Sequence, residues 1–263
     1  MILILSEVNR FVFIKGVKVA GTSVEMALSR YCGDGCIITP ITPIDEIARL
    51  GMGRGAQNYS DAPDQETNYL KRLVRQSKSS IKNITPRVSK YFLRRIRPPE
   101  GKYYNHMPLS EVMRLQNIDD GMQIVCIERS PYRKVLSWAN MRLSMKSYKS
   151  GGLMQADRKD LRSFLDTALR GDDYKAVLNI DRYKDVSGKI AVKRILRYEN
   201  IQSDLRDFVD TFGRDDVSLD IPHAKKGLMS NELPLDAYFS KDHIKRINEV
   251  FEEEFSFFGH EKV

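Results

Sequence analysis

Short runs of β-branched and aromatic residues alternate along the chain with segments in which apolar residues recur every three or four positions. The short runs predict strands at residues 11–14, 36–39, 123–127 and 191–197. Helical spacing follows the first, third and fourth of these runs, and it returns at residues 161–169 and near the C-terminus. This alternation predicts an α/β fold, in which a parallel sheet is flanked by helices.

Three predicted helices carry signals at their ends. The sequence Thr22-Ser23-Val24-Glu25 predicts a capping box, in which a hydroxyl and a carboxylate serve each other's backbone amides. Ser130 followed by Pro131 predicts an N-cap and the first residue of a helix. Ser240 and Gly259 mark the start and the end of the last helix.

Residues 51–105 interrupt the alternation of strands and helices. They hold a glycine-rich segment, a polar stretch and a basic stripe, defined here as residues 71–102. This stripe has eleven Lys and Arg residues against Glu100 alone, and its excess of +10 is larger than the chain's net charge of +8. We interpret residues 51–105 as an elaborated insertion, with loops and one or two short helices, in a single domain over residues 1–263. The stripe would attract anionic partners at long range.

The composition excludes several classes of protein. With 41% hydrophobic and 30% charged residues, the chain is neither disordered throughout nor collagen-like. No apolar run approaches the roughly 20 residues that cross a bilayer, and the apolar residues 1–5 are too few for a signal-peptide core. Cys32, Cys36 and Cys126 are too few for a disulfide scaffold or a four-ligand zinc site. We therefore expect a reducing, cytoplasmic compartment and no bound metal.

The segment from Phe13 to Ser23 is the most informative part of the sequence. A strand, a turn of small residues and a helix start gather backbone amides around a phosphate, as in a P-loop. Gly16 and Gly21 have P-loop spacing, but Thr22 stands where an ATP-binding loop requires lysine. Lys18 lies earlier in the turn, which suits a shorter anion with one 5′-phosphate. The alternative is a glycine turn that only joins a strand to a helix.

A second segment offers groups for a separate phosphate. Arg129 follows the predicted strand at residues 123–127, and ligands bind at the carboxyl ends of strands in open α/β sheets. Ser137 lies two helical turns further along the chain. A guanidinium and a hydroxyl are suitable partners for a phosphate. The alternative is an ordinary capped helix with an arginine on its surface.

Together, these two segments resemble the donor site of sulfotransferases that use 3′-phosphoadenosine 5′-phosphosulfate (PAPS). Residues 17–23 resemble the 5′-phosphosulfate loop, and residues 129–132 with Ser137 resemble the 3′-phosphate site. The likeness is closest to the carbohydrate, membrane-associated branch, whose loop reads Pro-Lys-Thr-(Ala/Gly)-Gly-Thr-(Ser/Thr). Val17 replaces its proline and Val19 its first threonine. These departures remove some loop rigidity and one hydroxyl contact to phosphate.

The resemblance extends from about residue 11 to the C-terminus. Residues 198–201 are similar to a Tyr-Glu-Asp-Leu segment that opens a late helix in these enzymes, and residues 223–227 are an imperfect copy of a lid over the 3′-phosphate. The resemblance implies the following donor-binding residues: Lys18, Ala20, Gly21, Thr22, Ser23, Arg129, Ser137, Tyr198, Lys226 and Gly227.

The resemblance also implies the reaction. A sulfo group passes in line from PAPS to an acceptor hydroxyl without a metal, and Lys18 stabilises charge on the leaving phosphate. His106 lies in a segment that resembles the His-x-x-(Leu/Phe) segment carrying the base in part of the carbohydrate branch. A histidine accepts a hydroxyl proton near neutral pH. A carboxylate, Glu111 or Glu25, is the alternative base.

The implied acceptor is a hydroxyl of a carbohydrate or glycoconjugate. The basic stripe would guide an acidic acceptor or dock the protein on an anionic membrane surface, and no nucleic-acid partner is expected. Because Met1 leads almost directly into the fold, we expect an enzyme without a membrane anchor. Two other functions stay open: a P-loop kinase or nucleotide phosphotransferase, and a non-catalytic protein that binds anionic polymers through the basic stripe.

Overall fold

The structure, a computed structural model, describes residues 3–83, 95–149, 158–214, 216–217, 219, 221 and 234–263. Contacts divide the chain into two compact units, each made of three segments. Unit 1 comprises Met1–Lys15, Ala20–Ile127 and Arg182–Ala224. Unit 2 comprises Gly16–Val19, Glu128–Asp181 and Lys225–Val263. The single-domain organisation inferred from the sequence stays a prediction.

A five-stranded mixed sheet has the strand order β3-β1-β2-β4-β5. Its strands are β1 (Leu3–Ser6), β2 (Phe11–Ile14), β3 (Ile37–Ile38), β4 (Gln123–Glu128) and β5 (Arg194–Arg197). β2 pairs parallel with β4, whereas β1 pairs antiparallel with both β2 and β3. The sheet is therefore mixed and not, as the sequence predicted, parallel throughout. The short connection between β1 and β2 forms a hairpin, and parallel strands need a longer crossover connection.

The prediction of an α/β fold is confirmed. In the described part of the chain the helices are α1 (Gly21–Leu28), α2 (Pro43–Met52), α3 (Pro63–Asn83), α4 (Leu109–Leu115), α5 (Pro131–Lys149), α6 (Arg158–Ala168), α7 (Ile201–Val209), α8 (Lys241–Val250) and α9 (Glu252–Phe258). Across these parts of the chain, no helix combines the length and apolar character that crossing a membrane requires.

The insertion holds a long helix where the sequence predicted short ones. α3 runs for 21 residues and buries Tyr69 and Leu73 against Ile96. Its described cationic side chains point to solvent: Lys71, Arg72, Arg75 and Lys78. The apolar positions at a spacing of four support a longer amphipathic helix than the polar composition suggested. Residues 84–94 of the basic stripe lie outside the described residues.

Unit 2 has its own apolar core, formed by helices α5, α6, α8 and α9. Tyr132, Leu136 and Leu165 are buried there together with Phe251 and Phe255. The predicted last helix is two helices, because the backbone leaves helical geometry at Phe251 (φ −101°, ψ 20°). Its predicted ends are confirmed: the Ser240 hydroxyl accepts a hydrogen bond from the His243 amide, and left-handed Gly259 ends α9.

Candidate functional site

The two candidate phosphate segments leave the sheet from neighbouring strands. In the parallel pair of β2 and β4, Ile14 lies opposite Cys126. The carboxyl ends of both strands therefore lie at the same edge of the sheet, where open α/β sheets bind ligands. Lys15 follows β2 directly, and Arg129 follows the last residue of β4.

The backbone between β2 and α1 adopts an uncommon conformation. Lys18 (φ 64°) and Ala20 (φ 61°) are both left-handed although neither is glycine. Such residues cost of the order of 1–2 kcal/mol each and concentrate at functional sites. α1 then begins at Gly21, and no side chain caps it. An uncapped helix N-terminus offers its first amides to an anion.

The predicted capping box at the start of α1 is wrong. The Thr22 hydroxyl accepts a hydrogen bond from Lys15 Nζ at 2.7 Å, and Glu25 is fully buried and bonded to Arg49. Ala20, rather than a hydroxyl residue, occupies the N-cap. The pattern matched a common capping sequence, but both side chains have stronger, charged partners in the folded chain.

Lys15 is a site residue that the sequence reasoning missed. It is only 8% exposed, and its Nζ lies 3.8 Å from Glu25 Oε2 in addition to its bond to Thr22. Its aliphatic stem packs on Gly21, where an added Cβ would come within 2.4 Å of Lys15 Cγ. Only glycine permits this close approach. The available signal was its place as the first residue after a buried strand, next to the candidate loop.

A buried charge network stands behind Lys15 in unit 1. Arg49 donates to both carboxylate oxygens of Glu46 and, at 2.6 Å, to Glu25 Oε1. Burial raises the pKa of Glu25 to about 8, although Arg49 and Lys15 oppose this shift. The buried carboxyl of Glu25 is bonded to Arg49. It is poorly placed to act on a substrate hydroxyl.

His106 lies beside the same loop within unit 1. Its Nδ1 is 2.9 Å from the backbone oxygen of Lys15. Because a carbonyl oxygen only accepts, Nδ1 carries the hydrogen and Nε2 is the basic nitrogen. His106 is left-handed (φ 62°), and Arg182 donates to its carbonyl oxygen at 3.0 Å. Burial lowers the pKa of His106 to about 3, so that the imidazole is neutral near pH 7.

The other carboxylate suggested as a base, Glu111, lies in α4. The hydroxyl of Tyr104 donates a hydrogen bond to it, and Tyr104 is largely exposed. Burial and this carboxylate raise the pKa of Tyr104 to about 12. Glu111 thus contacts a tyrosine at the surface, whereas His106 contacts the loop after β2.

In unit 2, a buried polar network holds the backbone next to Lys18. The side-chain amide of Asn179 accepts from the Val17 amide at 2.7 Å and donates to the Val17 carbonyl at 3.2 Å. The same Asn179 donates to Glu128 Oε1 at 2.8 Å, and Lys134 donates to Glu128 Oε2 at 2.9 Å. Lys134 also bonds Glu254. These partners are separated by up to 162 residues along the chain, so local sequence patterns do not reveal them.

The remaining predicted residues fall in different places. Arg129 is nearly buried, and Ser137 and Lys18 are half-buried; all three belong to unit 2. Tyr198 is half-buried in the turn after β5. It belongs to unit 1, which also contains Ala20, Gly21, Thr22, Ser23 and His106. Lys226 and Gly227 lie outside the described residues, so the lid stays a prediction. Among the side chains described, His, Cys, Asp and Glu form no cluster of three or more that would hold a metal ion.

Comparison with known proteins gave one structural likeness. No protein-family model matches the chain, and no curated protein matches it. The chain is similar to the crystal structure of a sulfotransferase from Alicyclobacillus acidocaldarius, with 18% sequence identity over 92% of this chain and 95% of that one. The TM-score is 0.36.

Proposed function

We propose that the protein is a sulfotransferase that transfers the sulfo group of PAPS to a hydroxyl of a carbohydrate or glycoconjugate. One observation carries the proposal. The loop whose sequence resembles a 5′-phosphosulfate loop has two left-handed non-glycine residues, Lys18 and Ala20, directly before the uncapped start of α1. A strained backbone that leads into a helix start without a side-chain cap fits a bound phosphate better than a plain turn.

The residues of the loop fit the 5′ end of such a donor. The amides of Gly21, Thr22 and Ser23 lie in the first turn of α1, where the helix dipole favours negative charge. Lys18 is assigned to the oxygen that bridges phosphate and sulfo group. Arg129 and Ser137 are assigned to the 3′-phosphate, and Tyr198, Lys226 and Gly227 are assigned to the donor from the resemblance alone.

The donor supplies a sulfo group whose bond to the phosphate oxygen breaks as a bond to the acceptor oxygen forms. His106 Nε2 takes the proton of the acceptor hydroxyl, and the Lys15 carbonyl holds the imidazole in that tautomer. Lys18 stabilises the negative charge that develops on the leaving phosphate. Burial depresses the pKa of His106, so the imidazole is neutral and can accept a proton at pH 7, but it is a weaker base than an ordinary histidine.

The exposed cations of α3 support an acidic acceptor. Lys71, Arg75 and Lys78 are spaced by four and three residues and so share one face of the helix, with Arg72 adjacent. An anionic membrane surface is the alternative partner for this face. Cys32, Cys36 and Cys126 form no disulfide, in keeping with the proposed cytoplasmic location.

The first test measures binding of the desulfated donor, adenosine 3′,5′-bisphosphate (PAP). Binding is detected as a rise in the thermal unfolding temperature in the absence of magnesium. At 100 times its Kd, PAP should stabilise the protein by about 2.7 kcal/mol, which raises the Tm by roughly 5–10 °C. ATP with magnesium should give no comparable shift, because Thr22 replaces the lysine that binds its terminal phosphates. Equal stabilisation by ATP with magnesium would favour a kinase instead.

Lys18→Met tests the proposed charge stabilisation. Because the charge on the leaving phosphate grows in the transition state, kcat should fall by about 10²–10³-fold while PAP affinity changes much less. Transfer of labelled sulfate from PAPS gives the rate, and calorimetry gives the affinity. Lys189→Met removes an exposed lysine and serves as the matched control. Turnover that survives in Lys18→Met would remove this residue from the mechanism.

A further inference from the structure

We infer that Lys15 is a positioning residue of the donor site, which orients the Thr22 hydroxyl toward the 5′-phosphate and adds a second positive charge beside the loop. The inference rests on the proposed function. It assigns a role to a lysine that lies before the loop segment on which the resemblance depends.

The side chains of Lys15 and Thr22 share a hydrogen bond. Lys15 Nζ lies 2.7 Å from Thr22 Oγ1. An ammonium has donors and no lone pair, so the hydroxyl oxygen must accept this bond. The hydrogen of the Thr22 hydroxyl is then left for another acceptor. Thr22 lies in the first turn of α1, where the backbone amides also favour an anion.

The position of Lys15 is fixed by packing. Its stem lies on Gly21 so closely that an added Cβ there would be 2.4 Å from Cγ and 2.9 Å from both Cδ and Cε. The side chain is 9% exposed, which restricts the rotamers of a normally flexible residue. A rigid ammonium directs the hydroxyl at little further entropic cost when the ligand binds.

A purely structural role, in which Lys15 neutralises Glu25, fits the geometry less well. Lys15 Nζ is 3.8 Å from Glu25 Oε2, beyond hydrogen-bond distance, whereas Arg49 Nη1 bonds the other oxygen of Glu25 at 2.6 Å. Glu25 therefore has its own cation.

The experiment measures the affinities of three nucleotides: PAP, adenosine 5′-monophosphate and adenosine 3′-monophosphate. Lys15→Met should weaken PAP and the 5′-monophosphate by at least tenfold and leave the 3′-monophosphate unchanged. A general structural defect would weaken all three alike. Lys189→Met is again the exposed-lysine control. Circular dichroism and the melting temperature show whether each variant folds.

A double-mutant cycle tests whether Lys15 acts through Thr22. If it does, Lys15→Met combined with Thr22→Val should weaken PAP far less than the product of the two single effects. Independent, multiplicative effects would overturn the inference, as would an equal loss for the 3′- and 5′-monophosphates.

A second pair of variants decides the matter if Lys15→Met does not fold. Thr22→Ser keeps the hydroxyl and should retain the affinity for the 5′-monophosphate, whereas Thr22→Val should lose at least tenfold. Equal affinities would overturn the inference. If the wild-type protein binds the 5′-monophosphate and Lys15→Met binds it equally well, only the inference fails. If the wild type binds neither PAP nor the 5′-monophosphate, the proposed function and the inference fail together.

Discussion

Replacement of His106 by asparagine is expected to lower kcat for sulfo transfer by about 10²–10⁴-fold, the usual contribution of a general base. Asparagine tolerates the left-handed backbone of this position (φ 62°), and its amide can still donate to the Lys15 carbonyl. It lacks the basic Nε2, so the loss isolates proton transfer from folding. The measurement is single-turnover transfer of labelled sulfate, with PAP affinity determined in parallel.

Proton titration provides an independent control for this assignment. Because burial holds the pKa of His106 near 3, its imidazole resonance should not titrate between pH 5 and 8, and the His106→Asn spectrum identifies it. The unfolded chain protonates this histidine first as the pH falls below about 6.5. The folded state is therefore destabilised as the pH drops toward 3. Turnover unchanged in His106→Asn would contradict the assignment as base, whereas a resonance that titrates near 6.5 would contradict only the burial of the imidazole.

The parts of the fold that depend on local signals were predictable. β2 and β4 are buried apolar runs, and the start of α5 at Pro131 follows from a residue whose ring suits the first helical position. β1 was missed because Leu3–Ser6 is a short apolar run at the chain start, without a turn signal that separates it clearly from β2. β1 runs antiparallel to β2 because residues 7–10 connect the two strands tightly. The spacing of apolar residues does not indicate the direction in which two strands pair.

The candidate site was predictable only in part. The phosphate loop could be found because glycine spacing and a helix start lie within one short segment. Lys15 could not be distinguished from a surface lysine, since its burial depends on packing against Gly21. Glu25 was interpreted as a cap because its partner Arg49 lies 24 residues away. Charged side chains that satisfy each other across the fold leave no local pattern, and these are the residues that sequence reasoning missed.

The second large effect is expected for the buried network of unit 2. Lys134→Met should destabilise folding by about 3–5 kcal/mol, because it leaves the carboxyls of Glu128 and Glu254 buried without their cation. Burial already raises the pKa of Glu254 against the opposing charge of Lys134, and the substitution should raise it further. A carboxyl with a raised folded-state pKa favours the folded state at low pH, so the variant should lose stability as the pH rises from 5 to 8.

Urea unfolding of three variants at pH 5.5 and 8 measures this effect. The triple variant Lys134→Met/Glu128→Gln/Glu254→Gln should regain most of the lost stability, since it buries no uncompensated charge. Exposed Lys245→Met is the control and should change stability by less than about 0.5 kcal/mol. A loss below about 1 kcal/mol in Lys134→Met would show that its carboxyl partners protonate or rearrange at little cost. In that case Asn179 would still hold Val17 through its own two hydrogen bonds.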